Sequence, residues 1–290
     1  MKVKESIGRR IFCKINILIM IGMMVITAYP LIHVLFASMS DSGELLKHRG
    51  LLLYPVGFSL KAYGLVMKNP NITSGYLTTL LVVVSGTLLN LFMTSIGAFV
   101  LSRRNLRGKN ILMAVIIITM YVSGGMIPRY LIIANTLHLK DSLFSLILPG
   151  AISTYNLIIM RTNFMQIPQS LEEAARIDGA NDISILFKVI LPLSVPVLAV
   201  MTLFYGVSHW NAWFDAMLFL RERSKYPLQL IMREILISSS TSAMSDSGAY
   251  EIGESIKYAT IIFTTVPILL VYPFIQRYFV KGIMVGAIKG

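Results

Sequence analysis

The sequence predicts an all-α polytopic membrane protein with six transmembrane helices and both termini in the cytoplasm. Three observations predict it. Of 290 residues, 55% are apolar and only 14% charged, and the mean hydropathy is +0.71. A soluble domain carries about a quarter of its residues as charges, because its water-facing surface is built from them. Six runs free of Asp, Glu, Lys and Arg are each long enough to cross a hydrocarbon core, which takes roughly 20 helical residues. The net charge of +12 gathers largely in one set of segments flanking those runs. The apolar content excludes a disordered chain, and the missing surface charge argues against a soluble enzyme. The one cysteine, Cys13, forms no internal disulfide and anchors no zinc or iron–sulfur site alone. His33, His48, His138 and His209 lie too far apart for a metal-ligand motif.

The first run, residues 15–39, follows Lys2, Lys4, Arg9, Arg10 and Lys14. Bases ahead of an apolar run also mark secretory signals, but this run is span-length and no small-x-small site closes it. It reads as an uncleaved first helix. Residues 1–40 are then a cytoplasmic N-terminus with the first span, and residues 41–75 an extracytoplasmic loop. The second run, 76–102, contains Ser95-Ile96-Gly97-Ala98, a small-residue patch suited to close helix packing. A turn bearing Arg103, Arg104, Arg107 and Lys109 follows, with no acid nearby. The remaining runs are 110–128, 142–160, 189–214 and 258–276, which complete a five-helix core over 76–276 ahead of a cytoplasmic tail, 277–290. Pro30, Gly86, Gly97, Pro149, Pro192, Pro196, Pro267 and Pro273 lie inside the runs, where neighbouring helices can satisfy the backbone groups they free. Arg277, Lys281 and Lys289 add to the tail, whereas the loops at 40–75, 129–141 and 221–257 mix bases with acids. Lys and Arg in short flanking loops mark the cytoplasmic side, so the termini are placed inside. Topology thus accounts for the basic charge without nucleic acid. In the last outer loop, Ser238-Ser239-Ser240-Thr241-Ser242 and several acids read as a flexible stretch open to an extracytoplasmic partner.

Between the fourth and fifth runs, residues 162–188 are too polar to stay in lipid and fall on the cytoplasmic side by alternation. Four of the fourteen acids, Glu172, Glu173, Asp178 and Asp182, crowd into this loop. Ser170 and Glu173 have the S-x-x-E spacing of a capping box, which starts a helix just after Pro168. Ala174 and Ala175 keep one side of it thin, and Gly179 is placed to end it in the left-handed conformation. Asn181 or Asp182 caps a second short helix running to Lys188, and Leu191-Pro192 opens the fifth span. The product is either a lever along the membrane surface, tied to a spanning helix, or a capped helix that only connects two spans.

The residues themselves resemble a known pattern. Glu173-Ala174-Ala175, then Gly179, then Val189-Ile190-Leu191-Pro192 has the spacing of the EAA motif of membrane subunits of ATP-binding-cassette importers, with Val189 for Ile the single departure. Ile127-Pro128, Leu137-x-Leu139-x-Asp141-Ser142, Leu148-Pro149, Arg161, Ile167-Pro168, Ile177-Asp178-Gly179-Ala180 with Leu191-Pro192-Leu193, and His209-Trp210-Asn211-x-Trp213-Phe214 resemble the carbohydrate-uptake branch, over roughly residues 75–290. Residues 278–290 look like the subgroup linked to complex oligosaccharides or polysaccharide fragments. The resemblance implies a type I importer permease fold in a bacterial cell membrane. It implies that Glu173, Ala174, Ala175, Arg176, Asp178, Gly179, Leu191 and Pro192 couple the chain to an ATPase. It further implies two ATPase subunits holding ATP and Mg, a second related permease, and an extracytoplasmic solute-binding protein that delivers a sugar. The sequence has no G-x-x-x-x-G-K-[ST] phosphate loop, in keeping with a non-catalytic subunit that binds no cofactor. The tail from Gln276 either reaches the ATPases or rests on anionic lipid.

Sugars are held by aromatic stacking and neutral hydrogen-bonding groups. Within or beside the runs these are Asn90, Tyr121, Tyr155, Asn156, Tyr205, His209, Trp210, Asn211 and Trp213. Interface anchoring competes for Trp210 and Trp213, and hydrogen bonding between helices competes for Asn90 and Asn156. Arg129, Arg161 and Asp215 stand just beyond run ends, where headgroup placement is the default and a gating salt bridge the alternative. Rival functions are a permease of the same type for a non-sugar solute, a standalone secondary carrier, and a membrane scaffold. A carrier calls for functional intramembrane charges and inverted repeats, neither of which is clear in the sequence.

Overall fold

The computed structural model describes residues 7–103, 106–242, 255–271 and 273. Helix α1 (Ile7–Ser38) carries Arg9, Arg10 and Lys14 on its first turns ahead of the apolar stretch. None of its most apolar window is buried inside the protein. Two short helices follow: α2 (Ser42–Lys47), capped by the Asp41 carboxylate, which accepts the Gly43 N–H at 3.0 Å, and α3 (Lys61–Lys68). The second long helix, α4 (Pro70–Ser102), starts six residues before the apolar run does, with proline at its first position, where a missing N–H costs nothing.

The next three runs are not single rods. Helix α5 (Lys109–Tyr121) ends at Ser123-Gly124-Gly125, where Gly125 has φ +82°, and α6 (Met126–Leu131) with the π-turn Ile132–Thr136 departs at 108°. Helix α7 (Phe144–Ile147) and the 3-10 turn Leu148–Gly150 meet α8 (Thr154–Phe164) at 49°, and Ser153 caps α8. After α9 (Gln169–Ile177) come α10 (Asp182–Ile185), the π-turn Leu186–Ile190 and α11 (Leu191–Leu193); α12 (Val195–Trp210) then turns away at 87°. The continuous helix α12 therefore begins at Val195, and Leu191-Pro192 lie before the bend. Pro192 and Pro196 each lack an N–H, and Ser194 between them leaves helical geometry at φ −103°, ψ 13°.

Helix α13 (Phe214–Phe219), the 3-10 turn Arg223–Lys225, α14 (Leu228–Ser242) and α15 (Ser255–Val271) complete the described chain. Ser238 to Ser242, read from composition as flexible, form the end of α14. The buried run Leu228 to Ile231 anchors the start of that helix, and the polar residues continue it. Arg104, residues 243–254 and the tail 277–290 lie outside the described residues. Among the described residues, the sheet content is one isolated bridge, Ser40 to Phe58.

The chain divides into two units. In Met1–Asn69 with Glu234–Thr265, Tyr29 Oη accepts the Leu52 N–H at 3.1 Å. Ser255 Oγ accepts from Ser42 Oγ at 2.7 Å and donates to the Ser40 carbonyl at 3.1 Å. In Pro70–Arg233 with Val266–Gly290, α4 is the axis against which α8 and α12 pack. Ala98, Phe99 and Leu101 meet Leu157, Met160 and Phe164 of α8, Ile185, Leu186 and Ile190 ahead of the bend, and Met201 and Tyr205 of α12. The small-residue patch works as its composition suggests. Ala98 is fully buried, and a Cβ on Gly97 would sit 3.1 Å from Leu157 Cδ1.

Candidate functional site

The candidate loop, residues 162–188, is built on α9. Pro168 is its N-cap and no side chain caps it, so Ser170 lies inside the first turn and the capping box does not form. The fixed φ of Pro168 starts the helix two residues earlier than a Ser170 cap allows. Glu173 instead accepts from Gln169 Nε2 at 2.7 Å. Gly179 does end the helix left-handed, at φ +82°. The Ala180 N–H donates to the Ala175 carbonyl at 2.9 Å and the Gly179 N–H to the Arg176 carbonyl at 3.0 Å, the paired bonds of a Schellman end. Asn181, of the two candidates, caps α10, accepting the Ser184 N–H at 2.8 Å. An Arg176–Asp182 ion pair closes the turn from outside.

This helix has two unlike faces. Ala175 packs with Ala180 and Ile167 against the core, whereas Ala174 is exposed, so the two alanines thin different sides. On the inner side Glu172, 14% exposed, pairs with Arg103 at the end of α4, and the Arg103 guanidinium lies 3.9 Å from the Phe99 ring centre. The outer side leaves Leu171, Glu173, Ala174, Asp178 and Ile177 open, Ile177 at 86% exposure. Arg176 is exposed beside them, Leu191 packs on the core, and Pro192 is exposed.

The solute-path candidates divide. Tyr155, Asn156, Tyr205 and His209 line one cavity of about 770 Å³, together with Arg129 and Asp215. Asn90, fully buried behind it, donates through Nδ2 to the Gly150 carbonyl at 2.6 Å, so its Oδ1 faces His209 Nε2 at 2.6 Å. That acceptor places a proton on Nε2. His209 approaches α4 over Gly86, where any Cβ would lie 2.5 Å from Nε2. The Tyr205 hydroxyl is taken, bonded to Thr94 Oγ1 at 2.7 Å and accepting the Ser153 N–H at 3.1 Å, so it braces α4, α12 and the start of α8. Tyr121 is 83% exposed at the end of α5, away from the cavity lining. Trp210 is buried edge-on against Tyr76, and Asn211 is the exposed C-cap of α12. Trp213 lies under the Arg233 guanidinium, 3.6 Å from ring centre to Cζ.

Of the three flanking charges, Arg161 donates to the Leu101 carbonyl at 3.0 Å. Arg129 and Asp215 pair at 2.7 Å, the arrangement the sequence offered only as an alternative. Nothing in a linear reading joins two single charges 86 positions apart. The same holds for the partners of Asp141, a clasp between two turns. Its Oδ1 accepts the N–H groups of Arg221 and Glu222, each at 3.0 Å, and its Oδ2 accepts from Lys225 Nζ at 3.0 Å. The two backbone donors first, then Lys225, hold its carboxyl down at about 2, against an ordinary 3.8. The sequence marks Asp141 only as part of the Leu137-x-Leu139-x-Asp141-Ser142 pattern; its backbone is left-handed, at φ +57°.

The family described as binding-protein-dependent transport system inner membrane component matches residues 91–285. The polygalacturonan/rhamnogalacturonan transport system permease protein YtcP of Bacillus subtilis (strain 168) is 44% identical over 269 residues, covering 91% of this chain and 93% of that protein. Protein LplC of the same organism is 39% identical over 284 residues, covering 97% of this chain and 96% of that protein. Among solved structures, a chain from the crystal structure of a bacterial ABC transporter involved in the import of the acidic polysaccharide alginate superposes with a TM-score of 0.86. It is 33% identical, and the match covers 96% of this chain and 100% of that one. With the helical core and the α9 turn in place, these likenesses have one reading: the chain belongs to the binding-protein-dependent transport system inner membrane component family, the permeases of ATP-binding-cassette importers.

Proposed function

We propose that this chain is one of two permease subunits of an ATP-driven importer in a bacterial cell membrane, carrying an oligosaccharide delivered by an extracytoplasmic binding protein. The sugar transport named for YtcP supports the solute class. Helices α1 and α4 and the three bent pairs are five candidate crossings; we take the shorter apolar helix α15 as the sixth, with both termini in the cytoplasm. The chain is non-catalytic and binds no cofactor; ATP and Mg belong to two separate ATPase subunits. One observation carries the coupling role: α9 is a finished helix, anchored on one face and bare on the other. Glu173, Ala174, Asp178 and Gly179 lie on the open side for an ATPase to grip. Glu172 with Arg103, and Ala175 with Ala180, tie the opposite side to α4 and the core. ATPase closure around nucleotide displaces α9. That displacement shifts the inward–outward equilibrium because its contacts differ between the two states. Tyr155, Asn156, Tyr205 and His209 line this subunit's part of the path.

Reconstitution tests the reading. The chain is incorporated into proteoliposomes with the ATPases, the partner permease and the binding protein, and uptake of labelled oligosaccharides is measured with and without ATP. ATP-dependent sugar uptake is expected. Uptake that persists without the ATPases marks a standalone carrier, ATPase binding without uptake of any solute marks a scaffold, and uptake of other solutes alone marks a non-sugar permease.

A further inference from the structure

Resting on the permease reading above, we propose that residues 49–57 re-enter the outer leaflet beside α1 and form a docking surface for the second permease. The neighbour this loop fits is a membrane-embedded chain that is apolar and carries hydrogen-bond acceptors.

Depth carries the first step. Residues 56–59 are tied to the end of α1. The Asp41 N–H donates to the Gly57 carbonyl at 2.7 Å, the Val56 N–H to Ser40 Oγ at 3.0 Å, and the Ser59 N–H to the Met39 carbonyl at 2.9 Å. Leu52 instead donates its N–H to Tyr29 Oη at 3.1 Å. Tyr29 lies about 13 Å below Ser38, the end of α1, at 1.5 Å per residue, and helical side chains lean toward the N-terminus. Four extended residues reach at most about 14 Å, so the chain from Leu52 to Val56 spans that drop. The uncharged stretch of α1 after Lys14 exceeds a hydrocarbon core of about 30 Å by about 6 Å. Even an upright α1 therefore leaves Tyr29 about 7 Å inside the hydrocarbon. The composition agrees: residues 50–60 carry no charge, and Arg49 and Lys61 stand at the two shoulders.

The surface of the loop carries the second step. Leu52 is buried, whereas Leu51, Leu53 and Tyr54 are 69%, 63% and 65% exposed. Their backbone is irregular. Among the described residues, the N–H groups of Leu51, Leu53 and Tyr54 meet no acceptor. Hydrocarbon cannot receive them, and irregular backbone at membrane depth is tolerated only against protein or a water-filled cavity. Three apolar side chains make a poor wall for water. A protein neighbour meets both demands, covering the side chains and accepting from the amides. A binding protein working outside the bilayer does not reach the level of Tyr29, which leaves a neighbour embedded in the membrane. Tyr54 is an aromatic anchor of the kind that dominates protein contacts.

The experiment uses the full reconstituted complex in lipid vesicles. Leu53→p-benzoylphenylalanine reports its neighbour on irradiation, and an adduct with the second permease is expected. Adducts with phospholipid alone, with the binding protein or within this chain each overturn the proposal and leave the permease reading intact. A second measurement follows the detergent-extracted complex. Leu53→Ala with Tyr54→Ala should let the second permease dissociate about 10-fold faster, equal to about 1.4 kcal/mol, while Tyr54→Phe keeps the wild-type rate. Both side chains are exposed within this chain, so the truncations spare its own fold. Equal dissociation rates in all three forms also overturn the proposal. An assembled complex that takes up no solute with ATP removes the permease reading, and the proposal with it.

Discussion

Gly179 shows how one residue's backbone can matter more than its contacts. Open space surrounds the position where a Cβ would project, so a substitution there fails by conformation, not by collision. A β-branched residue at φ +82° carries a backbone cost of about 1–2 kcal/mol. The Schellman end should therefore loosen in Gly179→Val and persist in Gly179→Asn, since Asn visits this region readily. The expected outcome is that the Val variant inserts normally but loses sugar-stimulated ATP hydrolysis and uptake, while the Asn variant keeps most of both. Wild-type coupling in Gly179→Val would remove the lever role. Asp141 gives a pH dependence with a definite sign. Its folded value of about 2 lies below the ordinary 3.8, so its contribution is complete above about pH 4 and is lost as pH falls toward 2. Hydrogen exchange at the Arg221 and Glu222 amides, corrected for intrinsic rates, should show protection falling across that window. Asp141→Asn should flatten the dependence. Gly179 was legible in the sequence because a glycine at a helix end has a local meaning. Asp141 and the Arg129–Asp215 pair were not, because their partners are defined only by folding.

At the scale of elements, α9 is held to α4 by a pair that is mostly withdrawn from water, Arg103 at 21% and Glu172 at 14% exposure. Replacing Glu172 with Gln should weaken that hold by about 1–3 kcal/mol, as for a lost bond to a charged group. The Glu172→Arg, Arg103→Glu double variant should recover part of it. Protease cleavage within 165–182 reads the outcome: faster in the single variant, slower again in the double. Equal cleavage rates in all three would show that the apolar contacts of Ala175 and Ala180 alone seat the helix. The sequence placed the start of this helix, just after Pro168, but for a wrong reason. Serine and glutamate three apart are also ordinary residues of a first turn, and Pro168 was the stronger signal. The bends at Gly125 and Ser194 escaped for a different reason. Glycine and proline inside apolar runs are tolerated in membrane helices, so composition alone cannot separate a kinked span from a break, and the residues on both sides are equally uncharged.

For the whole molecule, orientation is the property most exposed to a direct test. In a Cys13→Ser background, single cysteines at Arg107 and Lys140 should behave oppositely. A membrane-impermeant maleimide applied to intact spheroplasts should label position 140 and spare 107 until the membrane is opened. The reverse pattern would invert the proposed topology. The apolar runs and basic flanks were readable from the sequence because bilayer transfer is additive along a chain. Assembly of the cavity was not, because it depends on which helices meet.

Helix α1 bears on how this protein senses the thickness of its surroundings. Its uncharged stretch after Lys14 extends about 36 Å at 1.5 Å per residue, against about 30 Å of hydrocarbon. Its apolar window is not buried within the chain, and only its later part is held, by Tyr29 and by the buried Ala37 and Ser38. The free remainder meets acyl chains, and the excess length is absorbed by leaning. Spin labels along α1 in dimyristoyl and dierucoyl bilayers should report a steeper lean in the thinner one. An inclination indifferent to lipid would mean that the partner permease, rather than the membrane, sets the angle.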